Sequence, residues 1–317
     1  MSPRNTFTQT NLSQSGASIR IEQLVRAIAR TDKPAFDITH TRSGDQRIRE
    51  TRLSRHFQSI QQLLDVFDDR YCYAYSEDLQ AFKEACQDIG LERSPVGLTC
   101  LNDSGTRYLS SHETMNLLVD RIRQLICSKK YRRKAGDRRY EAKQKQATIT
   151  KYVNWVLNRY SRTVVVRVDF HYRAAARGRL RVEHVFEDLD QLIEARERHP
   201  VFRDATGYVC SVEQGEDKGF HIHAAFFFNG AEVRCDCNKA RQIGELWVEQ
   251  VTRGAGYFFS CNDEKDSYGD ELGIGTVKRA DDSVRSKVIK AMHYLAKDGQ
   301  HLRFKPAGAR AFRMGQV

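Results

Sequence analysis

The most constraining feature of the sequence is a pair of strand-like segments, 207–213 and 220–228, joined by the polar turn sequence Gln-Gly-Glu-Asp-Lys-Gly. Their β-branched and aromatic residues predict two strands paired as an antiparallel hairpin. Because side chains alternate faces along a strand, His221 and His223 project from the same face of the second strand. A turn centred midway between the strands places Glu213 directly opposite His221 on that face. The hairpin therefore predicts a carboxylate and two imidazoles side by side.

This trio, Glu213, His221 and His223, is a candidate metal site. Two imidazoles and one carboxylate suit manganese, zinc or iron, and they suit magnesium when phosphate oxygens complete the coordination. Three protein ligands also leave coordination positions open for substrate and water. The alternative is a structural pair of histidines, because a His-x-His sequence also occurs in strands that bind no metal.

The rest of the second half alternates strand and helix patterns, which favour an antiparallel α+β sheet over a doubly wound parallel one. Strands are predicted at 163–170, 256–260 and 273–277, and helices at 152–160, 182–197, 239–251 and 284–297. On the first of these strands Arg167, Asp169 and His171 share one face, opposite to a run of valines. These three residues either support the candidate metal site or form a salt-bridged surface face.

The first part of the chain has a different character. Four amphipathic patterns between residues 18 and 125 predict α-helices, and the fourth opens with the capping-box sequence Ser-Ser-His-Glu. We expect a mostly α-helical accessory region of unknown role over 1–128, a basic linker over 129–146 and the site-bearing domain over 147–317. The sequence contains no run of about 18 apolar residues, which is the length that would predict a membrane span. The polar N-terminus lacks a secretory signal, so a cytoplasmic location is expected.

The charge of the chain indicates a polyanionic partner. The net charge is +11 and the sequence pI is near 9.3. Residues 129–145 include nine basic and two acidic residues, and residues 278–317 include ten basic and three acidic residues. Such patches suit a nucleic-acid groove, with a solvated basic face as the alternative. The candidate DNA-binding residues of the first patch are Arg132, Arg133, Lys134, Arg138 and Arg139.

The last predicted helix places a tyrosine within a row of lysines. Lys287, Lys290, Tyr294 and Lys297 recur at helical spacing, on the side opposite to an apolar stripe. A phenol is a weak nucleophile, and a positive field or a polarised phosphate would activate it. Tyr294 is therefore a candidate nucleophile, with Lys287 and Lys290 as candidate DNA-binding residues. A surface lysine stripe with a packed tyrosine is the alternative.

In combination these features resemble the HUH endonucleases, the single-strand nicking enzymes of rolling-circle replication and conjugation. The resemblance rests on the order of Glu213, the His221-Ile-His223 strand and the Tyr294-x-x-Lys297 sequence. It is closer to one branch, the inovirus-type (filamentous-phage) replication-initiator-like proteins, also labelled the YagK/YfjJ C-terminal domain family. Further segments carry this likeness over about 145–317: 167–171, 207–213, 226–230, 243–247, 273–275 and 302–306.

This resemblance implies a five-stranded antiparallel sheet with flanking helices and the histidines on a central strand. It implies that Glu213, His221 and His223 hold a magnesium or manganese ion that polarises the scissile phosphate. Tyr294 would attack that phosphate, leaving a 5′-phosphotyrosyl enzyme and a free 3′-hydroxyl, and Lys297 would orient or neutralise the phosphate.

The implied function is a replication initiator of a phage, prophage or other mobile element in the cytoplasm of a bacterial host. Its partners would be single-stranded DNA at an origin or nick site and the host helicase and polymerase. Three alternatives stay open: a mobilisation relaxase or transposase with the same site, a catalytically inactive DNA-binding regulator, and a phosphodiesterase that uses water instead of Tyr294.

Overall fold

The structure is a computed structural model that describes residues 12–43, 45–95, 97–295 and 302–316. The chain divides into two compact units. The first contains the described residues up to Tyr71, with Asp78–Ser128 and Gly178–Leu180. The second contains Cys72–Glu77, Lys129–Arg177 and the described residues from Arg181 onward.

The helices and strands have the following bounds. The α-helices are α1 (Gln14–Ile28), α2 (Ile60–Leu63), α3 (Glu77–Asp88), α4 (Ser111–Ile126), α5 (Lys129–Asn158), α6 (Ala174–Arg177), α7 (Val182–Arg198), α8 (Asp236–Leu246) and α9 (Asp282–Tyr294). The 3-10 segments are Ser54–Phe57, Leu64–Val66, Pro200–Phe202 and Lys265–Glu271, and a π-helical turn, Trp247–Val251, continues α8. The strands are β1 (Phe36–His40), β2 (Gln46–Glu50), β3 (Tyr73–Tyr75), β4 (Glu92–Ser94), β5 (Gly97–Thr99), β6 (Arg162–Tyr172), β7 (Ala205–Gly215), β8 (Gly219–Asn229), β9 (Gly256–Ser260), β10 (Gly275–Lys278), β11 (Phe304–Pro306) and β12 (Phe312–Met314). Among the residues described, no helix is long and apolar enough to cross a membrane.

The first unit is mostly α-helical, as predicted, and it also contains two small hairpins. Helix α1 buries Ile21, Leu24 and Val25, the stripe that its sequence predicts. The capping box at the start of α4 is formed: Glu113 N donates to Ser110 Oγ at 3.3 Å, and Ser110 N donates to the Glu113 carboxylate at 2.8 Å. No sequence pattern predicts the hairpins β1–β2 and β4–β5. Strand β2 is exposed along its whole length, so no buried face produces an alternating pattern.

The second unit is built on an antiparallel sheet in the order β10-β6-β8-β7-β12, with β9 also paired to β6. This sheet has six strands, so the prediction of five strands is wrong. Strands β9 and β10 share one side of β6, β9 along residues 168–172 and β10 along 162–165. The unpredicted strand is β12, whose three residues pair with β7 at the opposite edge. A segment so short has no periodicity that a sequence can reveal.

Helices cover both faces of the central strands. On one face α5 and α9 pack against the sheet, where Tyr152, Phe227 and Met292 belong to one buried cluster. We call this the α5/α9 face. On the other face, which α7 and α8 cover, the ring of Phe170 packs against Trp247 with centroids 4.9 Å apart. Because both faces are covered, polar side chains on these strands are enclosed as well.

Helix α5 includes the segment 129–146, for which the sequence predicts a basic linker. The segment consists largely of Lys, Arg, Ala, Gln and Glu, which are strong helix formers. Its first half is mostly exposed, whereas Ile149, Val153 and Val156 are buried in the second half. The stretch is therefore a basic helix, and the helix predicted at 152–160 corresponds to the C-terminal part of α5.

Helix α9 carries the candidate nucleophile at its last residue, Tyr294. This helix lies very close to the chain at Gly273, where an added Cβ would be 2.3 Å from the carbonyl oxygen of Lys287. Only glycine permits that approach, so Gly273 sets how closely α9 packs on the sheet. The predicted end of the helix at Lys297 lies outside the described residues.

Candidate active site

Glu213, His221 and His223 lie together, as the hairpin predicts. Glu213 on β7 is paired with His221 on β8, and one potential ligand atom from each of the three residues lies within 4.8 Å of the others. All three are buried, with exposed fractions of 3%, 3% and 7%. The Nε2 atoms of both imidazoles face one carboxylate: Glu213 Oε2 is 3.4 Å from His223 Nε2 and 3.9 Å from His221 Nε2. This triad could hold a metal ion.

Each histidine of the triad is oriented by a contact at its other ring nitrogen, Nδ1. His221 Nδ1 lies 3.0 Å from the carbonyl oxygen of Gly219, which only accepts, so Nδ1 carries the hydrogen and Nε2 presents a lone pair. His223 Nδ1 lies 2.6 Å from Asp169 Oδ1 on the neighbouring strand β6. A carboxylate on the far side of a metal-ligating histidine fixes the ring and makes it a better ligand. The donor set therefore fits a cation.

Arg167, Asp169 and His171 lie on the α5/α9 face and are buried, with exposed fractions of 8%, 8% and 1%. The alternative of a salt-bridged surface face is therefore wrong. Arg167 Nε lies 3.6 Å from Asp169 Oδ1. His171 stacks on His221 at 5.5 Å between ring centroids and on Tyr257 of β9 at 5.0 Å. Asp169 thus contacts a triad histidine through its carboxylate, while His171 packs against the other.

The local environment moves the pKa values of the two triad histidines in opposite directions. Burial lowers the pKa of His221 to about 4. At His223 burial also opposes the charged form, but Asp169 and Glu213 outweigh it and raise the pKa to about 9. Burial and neighbouring positive charge lower the pKa of His171 to about 3. In the metal-free protein at neutral pH, His223 is therefore protonated while His221 and His171 are neutral.

Tyr294 faces the triad from α9. Its ring lies edge-on to that of His223, with centroids 6.4 Å apart and an interplanar angle of 78°. The guanidinium carbon of Arg167 is 5.3 Å from the centroid of the Tyr294 ring. The side chain is 38% exposed and borders a cleft of about 630 Å³ that also reaches Arg167, Asp169 and both triad histidines. The candidate nucleophile and the two candidate histidine ligands therefore line one cavity.

The lysines of α9 differ in their surroundings. Lys290 borders the cleft, and its Nζ lies 2.6 Å from Glu271 Oε2 in an exposed ion pair. Lys287 is half-buried. Lys297 lies outside the described residues, and its role remains a prediction.

Several residues that border the cleft were not among the predicted site residues, including Lys218, Tyr268 and Glu271. Lys218 belongs to the β7–β8 turn, three positions before His221, so its closeness to the triad could have been inferred from the hairpin. Tyr268 and Glu271 belong to the 3-10 segment Lys265–Glu271, and no local pattern signals that this segment forms a wall of the cleft.

The candidate DNA-binding residues of α5 fall into two groups. Arg138 donates to Glu77 through Nε at 3.1 Å and Nη2 at 2.9 Å, and Lys134 Nζ donates to the Tyr75 carbonyl at 2.6 Å. These two cations thus make contacts within the second unit. The side chains on the solvent side of the same helix are exposed: Arg132, Arg133 and Arg139.

Comparison with known proteins identifies the family. The model of the YagK/YfjJ C-terminal domain matches residues 127–312, which is more than half of the chain. The chain therefore belongs to the YagK/YfjJ C-terminal domain family. The matched region includes the triad, Tyr294 and helix α5. No curated protein and no solved structure gives a significant match.

Proposed function

We propose that this protein is an HUH-type endonuclease that nicks and rejoins single-stranded DNA to initiate replication of a phage, prophage or other mobile element. The observation that carries the proposal is the placement of Tyr294 beside the triad, with its ring 6.4 Å from that of His223 in a shared cleft. A buried nitrogen and oxygen donor set next to an accessible phenol is the combination that metal-assisted tyrosine transesterification requires.

The triad would hold a magnesium or manganese ion. One carboxylate and two neutral imidazoles supply three donors, and phosphate oxygens complete the coordination of a hard cation. A divalent ion bound there would polarise the scissile phosphate and offset its charge. Asp169 would keep His223 oriented with Nε2 towards that ion, as its 2.6 Å contact with Nδ1 indicates.

Tyr294 would supply the nucleophile. Its hydroxyl oxygen bonds to phosphorus, the bond between phosphorus and the 3′ oxygen breaks, and the 5′ phosphate stays on the tyrosine. The phenolic proton leaves and the departing 3′ oxygen takes up a proton, so the second product is a free 3′-hydroxyl. The exchange conserves one phosphodiester bond, and attack by a new 3′-hydroxyl reverses it and joins the strand. Joining therefore requires no ATP.

The charge of the chain supports nucleic acid as the substrate class. The chain carries a net charge of +11, and helix α5 presents exposed basic side chains in the same unit as the cleft. Cations arranged along one helix bind the phosphates of nucleic acid without reading its sequence. The free 3′-hydroxyl left by nicking is the primer end that a host polymerase uses once a helicase has opened the duplex.

The test is a covalent adduct between the protein and single-stranded DNA from the element that encodes it. Purified protein is incubated with that DNA and manganese, and the products are separated under denaturing conditions. We expect an adduct that maps to Tyr294, that chelator abolishes, and that Tyr294→Phe lacks. Tyr268→Phe is the matched control, because it removes the hydroxyl of another tyrosine in the same cleft and should leave the adduct intact. His221→Ala should abolish the adduct and retain DNA binding.

Other outcomes contradict the proposal in distinct ways. Cleaved DNA without an adduct would identify a phosphodiesterase that uses water. An adduct that persists in Tyr294→Phe would assign the nucleophile to another residue. Binding without cleavage across the complete DNA of the element would identify a DNA-binding protein without nicking activity.

A further inference from the structure

Arg167 is a buried cation with more hydrogen-bond donors than its neighbours accept. It projects from the middle of β6 into the cleft, and only 8% of its surface is exposed. Among the described residues its Nε has no hydrogen-bond acceptor, although that atom is shielded from solvent. A guanidinium has five N–H donors, and a buried charge without adequate partners is costly.

The nearest carboxylate lies closer to His223 than to Arg167. Asp169 Oδ1 lies 2.6 Å from His223 Nδ1 but 3.6 Å from Arg167 Nε. The guanidinium carbon also lies over the ring of Tyr294, 5.3 Å from its centroid. A ring face attracts a cation but accepts no strong hydrogen bond. Arg167 therefore has donor capacity left for an anion that enters the cleft.

We propose that Arg167 is the phosphate-binding residue of the cleft and that its guanidinium donates to the non-bridging oxygens of a phosphodiester. A planar guanidinium matches two phosphate oxygens better than a lysine ammonium does. Because the guanidinium of Arg167 lies near both Asp169, which contacts the triad, and Tyr294, a phosphate bound to it is close to the triad and to Tyr294. The inference deepens the proposed function and rests on it for the identity of the phosphodiester as DNA.

A purely structural role for Arg167 as a counter-charge to Asp169 makes a different prediction. In that case the NMR signal of the guanidinium would not change when phosphate is added. Arg167→Lys would then preserve the function, because it preserves the charge. A phosphate-binding role requires that the N–H donors of the guanidinium gain an acceptor when phosphate enters, which also changes the environment of the Nε–H.

The experiment uses NMR to follow the Nε–H resonance of Arg167 in the full-length ¹⁵N-labelled protein. Inorganic phosphate is added in the absence of metal. Arg167→Lys assigns the resonance by its loss. We expect a saturable shift of this signal. The Nε–H of Arg241 is the internal control, because it already donates to Asp263 at 3.1 Å and should not move. No shift at Arg167 up to the highest soluble phosphate concentration, or equal shifts at both arginines, would overturn the inference.

The second readout is the rate of adduct formation with single-stranded DNA. Arg167→Lys should slow it by about 10- to 100-fold, the loss expected for a charge-assisted hydrogen bond. Arg241→Gln, which removes one positive charge outside the cleft, should keep the wild-type rate. A folded Arg167→Lys variant with the wild-type rate would overturn the inference while the proposed function stands. If no DNA gives an adduct with the wild-type protein, the proposed function fails and the phosphate titration still decides the role of Arg167.

Discussion

Binding of a divalent metal ion to Glu213, His221 and His223 should expel one proton at neutral pH. A metal requires neutral imidazole, but Asp169 and Glu213 outweigh burial at His223 and raise its pKa to about 9. At about pH 7, two units below that pKa, about one molecule in a hundred has His223 neutral. The apparent affinity should therefore be about 100-fold below its high-pH limit, or about 2.7 kcal/mol. His221 adds no pH dependence there, because its pKa is about 4.

The sign of the effect follows from the raised pKa. As the pH falls, His223 holds its proton more firmly, so the affinity should fall about tenfold per unit between about pH 8 and pH 6. Titration calorimetry with manganese chloride, in buffers of different protonation enthalpy, measures both the affinity and the protons released. We expect about one proton per bound ion. An affinity independent of pH, with no proton release, would show that His223 carries no proton in the metal-free protein at neutral pH.

The variant Asp169→Asn isolates the cause. It removes the carboxylate that lies 2.6 Å from His223 Nδ1, so the pKa of His223 should fall and less than one proton should be released at neutral pH. The high-pH affinity should also fall by about 10- to 100-fold, because the ring loses its orienting partner. Asp263→Asn is the matched control, since that carboxylate pairs with Arg241 at 3.1 Å. Unchanged proton release in Asp169→Asn would show that Asp169 does not hold the proton on His223.

Three further predictions concern other parts of the chain. Ser110→Ala removes one half of the capping box and should lower the free energy of unfolding of the first unit by about 1 kcal/mol in a urea titration, whereas an unchanged midpoint would contradict a stabilising cap. Gly273→Ala places a Cβ against the Lys287 carbonyl oxygen and should lower the free energy of unfolding by about 1–3 kcal/mol. It should also reduce the yield of the DNA adduct, because α9 is displaced. Its control, Gly178→Ala, meets nothing within 4 Å and should match the wild type in both measurements. The logarithm of the affinity for single-stranded DNA falls linearly with the logarithm of the salt concentration, and removing four charges of α5 should make this slope shallower by about 3. An unchanged slope would exclude this helix from DNA binding. The substituted residues would be Arg132, Arg133, Arg139 and Lys143.

Features that depend on neighbours along the chain could be predicted without the structure. The alternation of a strand places His221 and His223 on one face, and a short turn places Glu213 opposite. The capping box at the start of α4 is equally local, since its two partners lie three residues apart. For the same reason the Glu-His-His triad could be predicted from a single hairpin, because one turn sets the register of both strands.

The sequence was least informative where an element takes its structure from distant contacts. Strand β12 exists because it pairs with the edge of β7, and its three residues contain no pattern of their own. The segment 129–146 is a different case: its high charge suggests a linker, but its strong helix formers and its continuation into the buried part of α5 favour a helix.

The surroundings of the triad depend on tertiary contacts. The pairing of β6 with β8 brings Asp169 to His223, and the close passage of α9 over Gly273 brings Tyr294 to the same cleft. Burial of both faces of β6 turns Arg167 from a possible surface charge into an enclosed cation. None of these relations follows from spacing along the chain. Register between non-adjacent strands and the docking of a helix are set by packing across the sheet, which joins residues far apart in sequence.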